Sequence, residues 1–137
     1  MSLYLCVFAG EEEAAGVDAG SYGDFNAFRR CVCVELEQGV AGLRFPTLNR
    51  HSDCDGEWSE RDCANLREEL GAIAAALRDR PAAGFPSAWQ EDLARSLGIA
   101  PRNALECFLD ADGQFLLERL FWLTAVALRR RQPILFQ

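Results

Sequence analysis

The sequence predicts an α+β fold: one domain over residues 1–137, with a small three- or four-stranded sheet packed by about four helices. Three observations lead there. Apolar residues recur at helical spacing in two internal stretches, Phe25, Phe28, Val32, Leu36 and Cys63, Leu66, Leu70, Ile73, Leu77. Short apolar runs without that period stand near the two chain ends, Leu3 to Phe8 and Ile134 to Phe136. The chain is 137 residues long and half apolar, which suits a single core and excludes wholesale disorder.

Leu3 to Phe8 is apolar at successive positions, so both sides of this strand are expected to be covered, placing it centrally in the sheet. Gly10 to Gly20 is acidic and interrupted by glycine; it reads as a loop, with Val17 the one residue able to anchor a return strand. Ser21 is the expected N-cap of a helix from Tyr22 to about Glu37, with Asp24 in its first turn favouring the helix dipole, and Gly39 ends it. Leu43 to Arg50 reads as extended, with Pro46 marking an edge or a bulge. His51 to Trp58 reads as a turn, and Ser59 with Asp62 as a capping box carrying Asp where Glu is usual. The helix that follows has the most regular stripe in the chain.

Pro81 to Pro86 is a connector. Ser87 caps a short helix through Trp89, Leu93 and Leu97, and Gly98 closes it. Leu105 to Leu109 is expected to be a strand, Asp110-Ala-Asp-Gly113 a turn, and Phe115 to Arg131 a helix with its arginines at the C-terminal end of the dipole. Pro133 stops that helix, and Ile134 to Phe136 supplies a last strand.

Charge narrows the function. Fourteen basic residues, all arginine, stand against twenty-one acidic ones, a net charge of −7. Such a chain lacks the cationic surface on which nucleic acids and anionic membranes are held, and it suits a basic protein partner. With no lysine, Schiff-base chemistry and P-loop phosphate binding are excluded. No signal peptide and no membrane-length apolar run is expected, so the reading is a cytoplasmic protein with six reduced cysteines.

Four motifs invite chemistry, and each fails on inventory or spacing. Asp110-Ala-Asp112-Gly113 after an apolar run resembles the nucleophile loop of haloacid-dehalogenase-type phosphotransferases, but it stands near the chain end and has no lysine to follow it. Asp53, Asp55 and Gly56 fit three positions of a calcium loop, whereas His51 and Asp62 misfit the first and last. Cys31 and Cys33 lie on opposite sides of a predicted helix and do not grip one zinc ion. His51, the sole histidine, with Cys54 nearby lacks an orienting third group. No catalytic residue, metal site or cofactor is therefore assigned.

The acidic turn is different. Trp58 ringed by Asp53, Asp55 and Glu57 is hot-spot chemistry for a protein interface if the ring is exposed, and a staple for the following helix if it is not. Glu11, Glu12 and Glu13 form a second cluster, read either as a contact surface or as a solvated loop.

Across nearly the whole chain, LYLCVFAGEEE, GSYGDFNAFR, RFPTLNRHSDCDGEWS, LECFLDADGQFLLERL and PILFQ occur in the order and spacing of the immunity protein 70 family, which the sequence resembles. The stretch from Ala74 to Arg102 carries little of the likeness. The resemblance implies a small cytoplasmic bacterial protein, encoded beside a polymorphic toxin, that neutralises its cognate toxin by stoichiometric binding and is not an enzyme. It supplies no site residues. The charge pattern nominates Glu11, Glu12, Glu13, Asp53, Asp55, Glu57 and Trp58 as toxin contacts, with a basic toxin domain as the partner. Two alternatives stay open: a small enzyme using His51 and nearby carboxylates, with His51 lining a concave pocket, and a homo-oligomeric adaptor with an exposed apolar patch.

Overall fold

The computed structural model describes residues 2–137 as an α+β fold with a four-stranded antiparallel sheet. β1 (Ser2–Ala9), β2 (Glu12–Ser21), β3 (Glu57–Trp58) and β4 (Ile134–Phe136) are arranged in the order β2-β1-β4-β3. The helices are α1 (Tyr22–Leu36), α2 (Pro46–Asn49), α3 (Glu60–Arg78), α4 (Ala88–Leu97) and α5 (Leu116–Arg130). The two ends of the chain meet in the middle of the sheet, with Leu5 opposite Phe136 and Cys6 opposite Leu135. The expectation that Leu3 to Phe8 is an interior strand holds for that reason.

Alternation sorts the strands into two faces. Leu3, Leu5 and Val7 from β1, Val17 and Ala19 from β2, and Ile134 and Phe136 from β4 join one buried cluster with the apolar stripes of α1, α3 and α5. Those stripes are the ones the sequence shows: Phe25, Phe28, Val32, Leu36 on α1 and Cys63, Leu66, Leu70, Ile73, Leu77 on α3. The predicted caps are present as well. Ser21, Ser59 and Ser87 each accept from the third residue of their helix, and Asp62 returns a bond to the Ser59 amide, closing the capping box. Gly98 closes α4 at φ +70°.

Four expectations need correction. Residues 10–20 are not a loop: Glu12–Ser21 is β2, paired along β1. Alanine and glycine gave little strand propensity, but a tight turn at Gly10 (φ +67°) and Glu11 brings the segment back onto β1, and the ladder decides. Within Leu43 to Arg50, Pro46–Asn49 is helical, because Pro46 sits at the first helical position and the Glu69 carboxylate of α3 takes the Thr47 and Leu48 amides at 3.1 and 3.0 Å. Leu105 to Leu109 is not a strand: Ala104–Cys107 is a 3-10 turn capped by Asn103, and the Leu109 amide goes to Gln90 Oε1 at 2.9 Å. The turn after His51 ends earlier than expected, since Glu57 and Trp58 pair with Leu135 and Ile134.

The free edge of β2 is closed to further strands. Gly16 O accepts from Arg119 Nη2 at 3.3 Å, Asp18 O from the Ala111 amide at 2.9 Å, and the Gly20 amide is held by Asp18 Oδ1 at 3.0 Å. The Asp110 turn that reaches this edge is itself braced. Asp110 is fully buried, accepts from the Asp112 and Gln114 amides at 3.0 and 2.9 Å, and faces Arg119 Nε at 3.3 Å. That turn is a structural device: Oδ1 is spent on the two backbone amides, and Oδ2 is left in ion-pair contact with the Arg119 guanidinium without a hydrogen bond.

Candidate functional site

The acidic turn between α2 and α3 is pinned from two sides. Beneath it, the His51 ring stacks on Phe136 at 4.2 Å between centroids and 23° between planes, and it lies 5.4 Å from the Trp58 ring. Its Nδ1 and Nε2 sit 2.8 Å from Ser52 O and 2.9 Å from Glu57 O, two backbone acceptors, either of which takes the single N–H of a neutral ring. From the side, α1 reaches over. Arg29 Nη2 donates to His51 O and Asn26 Nδ2 to Asp53 Oδ2, each at 2.7 Å. The Asn26 amide, more than the nearby Arg29 charge, holds the Asp53 carboxyl below its ordinary range. Gly56 takes φ +86° where the chain reverses into β3.

This bracing turns Asp55 and Glu57 out to solvent, with Asp53 half-buried against α1. Trp58 goes the other way. It is 1 % exposed, its Nε1 donates to Thr47 O at 2.9 Å, and its ring meets Phe136 edge-on at 4.7 Å. Of the two readings of this residue, the structure shows the staple: the ring anchors the turn from inside the core. Alternation explains why, since β3 must send Glu57 and Trp58 to opposite faces.

Glu11, Glu12 and Glu13 are exposed at the β1–β2 turn and the start of β2. They do not meet the turn directly. β2 and β3 are the two edges of the sheet, three strand spacings of about 4.8 Å apart. A cleft lined by Ala9, Gly10, Arg129, Arg130 and Gln132 sets two arginines of α5 beside the hairpin turn. Glu13 alone reaches inward, accepting the Tyr4 hydroxyl at 2.8 Å.

Between the two clusters lies the face of the sheet that no helix covers. One row crosses all four strands, with Gly16, Cys6, Leu135 and Glu57 opposite one another in turn. Tyr4 pairs with Asp18 on one side of this row and Phe8 with Glu13 on the other. Tyr4, Phe8 and Leu135 are half-buried there, whereas Cys6 is fully shielded yet stands outside the core cluster. The Tyr4 ring lies across the row: a side chain at Gly16 would collide with its hydroxyl. Sequence reasoning missed these residues because it read β1 as buried throughout. The alternation Tyr4, Cys6, Phe8 was the available signal, and it needed β2 to be recognised before it could mark a second face.

A spectroscopic prediction follows from this packing. Burial, reinforced by the hydrogen bond to Glu13, pushes the Tyr4 phenol up to about 12. Ultraviolet titration is expected to show one of the two tyrosines ionising near that value. In Glu13→Gln the phenol should move down toward its ordinary 10.0, since a carboxylate acceptor and its charge are both removed. Identical titrations of the two proteins would show that Glu13 does not hold the ring.

His51 lines none of the main surface clefts; one of these, of about 570 Å³, is bounded instead by Asp18, Asp24, Ser87 and Trp89. The Cys54 thiol lies 3.6 Å from Ser52 Oγ, while the ring nitrogens of His51 face the carbonyls of Ser52 and Glu57. Among the described residues, no group of three or more His, Cys, Asp or Glu side chains is placed to hold a metal ion. Among the same residues, no helix is long and apolar enough to cross a membrane.

Comparison with curated proteins and with solved structures returns no match. A family profile does match, and it spans β1 through β4, taking in both acidic clusters and the uncovered face between them. Its description is Immunity protein 70, and it matches residues 3–136, so the chain belongs to the immunity protein 70 family.

Proposed function

We propose that this protein neutralises a cognate toxin by stoichiometric binding in the bacterial cytoplasm, without turnover. Contact is made through the carboxylates of the acidic turn, Asp53, Asp55 and Glu57, with Glu11, Glu12 and Glu13 at the other edge of the sheet. Trp58 serves this surface from beneath. Family membership supports the immunity role. The observation that carries the site is the pre-organised turn, braced by His51 beneath and by Arg29 and Asn26 alongside, which leaves Asp55 and Glu57 facing solvent and fixes Asp53 against α1. A rigid acidic surface loses little freedom on binding, and it steers a basic partner into place. The net charge of −7 favours the same class of partner, a basic toxin domain.

The test expresses the toxin domain encoded beside this gene with and without the protein. Relief of lethality together with a copurifying one-to-one complex is expected. In that complex the triple variant Asp53→Asn, Asp55→Asn, Glu57→Gln should bind at least about 10-fold more weakly, and the wild-type affinity should fall as salt is raised. Asn at position 53 can still accept from Asn26, so the turn is expected to keep its shape. Unchanged affinity in the triple variant would remove the turn from the interface, and lethality unrelieved by the wild type would end the binding account.

A further inference from the structure

We infer that the uncovered face of the sheet, centred on Tyr4, Phe8 and Leu135, is the docking surface for a cationic segment of a protein partner. The inference rests on the toxin-binding reading and deepens it, by placing the middle of the interface on residues that charge alone did not nominate.

Three features converge. The face is apolar in the middle and acidic at both margins: Tyr4, Phe8 and Leu135 are half-exposed, Glu13 and Asp18 flank them on β2, and Glu57 flanks them on β3. No arginine stands on the strand positions of this face, and among the described residues none forms an ion pair with Glu13, Asp18 or Glu57. The arrangement is complementary to arginine or lysine, whose aliphatic stem lies along apolar surface while its charged head reaches a carboxylate. The surface is also continuous: the row through Leu135 ends on Glu57, and the row through Phe8 ends on Glu13, joining the turn and the hairpin into one patch. With both ends included, that patch extends toward the roughly 800 Å² a side of a standard interface.

Other modes of contact fit less well. Strand addition along β2 is obstructed by Arg119, by the Ala111 amide and by the Asp18 side chain, while β3 offers two residues only. A second copy of this chain would bring carboxylate margins against carboxylate margins, with no arginine on the face to compensate.

The experiment measures affinity for the purified toxin domain encoded beside this gene, with circular dichroism and thermal midpoints recorded for each variant. Leu135→Arg puts a cation in the centre of the face and is expected to weaken binding by about 100-fold. Phe8→Ala adds no charge and should weaken it about 10-fold, which keeps the test decisive if Leu135→Arg folds poorly. Val34→Ala, at a 59 % exposed position of α1, the helix that packs on the opposite face of the sheet, should stay within about 3-fold. If the wild type binds and both face variants stay within about 3-fold of it, the face is not the docking surface, although the toxin-binding reading survives. A wild type that neither binds nor protects ends both. Should gel filtration show a wild-type dimer that Leu135→Arg dissociates, the occupant is a second copy and the inference is overturned.

Discussion

Trp58→Ala is expected to lower folding stability by about 3–5 kcal/mol, the range for emptying a large buried aromatic site. The ring is 1 % exposed and supports three partners at once: it packs edge-on against Phe136, lies beside His51 and donates to Thr47 O at 2.9 Å. Its loss leaves a cavity under the acidic turn, and it strands the Thr47 carbonyl within the short helix α2. Urea denaturation would measure the change. Trp58→Phe separates the terms, since it keeps most of the packing and loses the indole donor, at an expected cost of about 1–2 kcal/mol. A loss below about 1 kcal/mol for the alanine variant would mean that the turn is held by its α1 contacts alone. The two effects on function also part here: Trp58→Ala should weaken toxin binding only as far as it unfolds or loosens the turn.

The second large effect is expected at Glu37, where α1 gives way to the 38–45 loop. The side chain is fully buried without an arginine or lysine partner. Its Oε2 accepts the Arg44 and Phe45 amides, each at 2.9 Å, and its Oε1 accepts the Asn49 side-chain amide. The carboxylate therefore replaces secondary structure as the acceptor for a loop that has none. Glu37→Ala should cost about 3 kcal/mol or more, because several buried donors lose their acceptor together. Glu37→Gln is expected to be intermediate, as its NH₂ group must face one of those donors.

The pH dependence distinguishes this account from simple packing. Burial raises the Glu37 carboxyl, but the amides of Phe45 and Arg44 and the Asn49 side chain outweigh it, and the net direction is below the ordinary 4.5. The unfolded chain then binds more protons than the folded one in that window. Stability from Glu37 is complete above the unfolded value and is lost as pH falls through the folded one. Asp110 acts in the opposite sense: burial holds its carboxyl above the ordinary 3.8, so its contribution is greatest below the unfolded value and fades as pH rises through the folded one. The urea midpoint of the wild type should fall on the acid side, and in Glu37→Ala that fall should be shallower. Parallel curves for the two proteins would contradict the charged-acceptor role.

Local signals were legible wherever one residue type answers one physical need. The serine caps at 21, 59 and 87 satisfy amides that any helix start exposes, and they appear where the sequence sets them. The stripes of α1 and α3 were equally plain, because apolar residues spaced at 3.6 line up on one side of a helix and scatter over both faces of a strand. The misread segments share a different property: their partner lies far away in the chain. Glu69 makes residues 46–49 helical from α3, and Gln90 of α4 takes the Leu109 amide, leaving that residue a single bridge to Phe115 rather than a strand. Asp53, Asp55 and Glu57 were identifiable as a charged turn, but the direction of Trp58 was not, since a tryptophan beside acids is compatible with either face of a strand.

By itself, the sequence determined the α+β class, the caps, the helical stripes, the acidic balance and the family. These depend on composition, on period and on neighbours a few residues away. Only the tertiary structure decided that β2 exists, that the first and last strands pair, and that one face of the sheet stays uncovered between two acidic margins. The reason is that strand pairing is a long-range choice: Leu5 meets Phe136 and Glu57 meets Leu135 across most of the chain, and no local pattern encodes the partner.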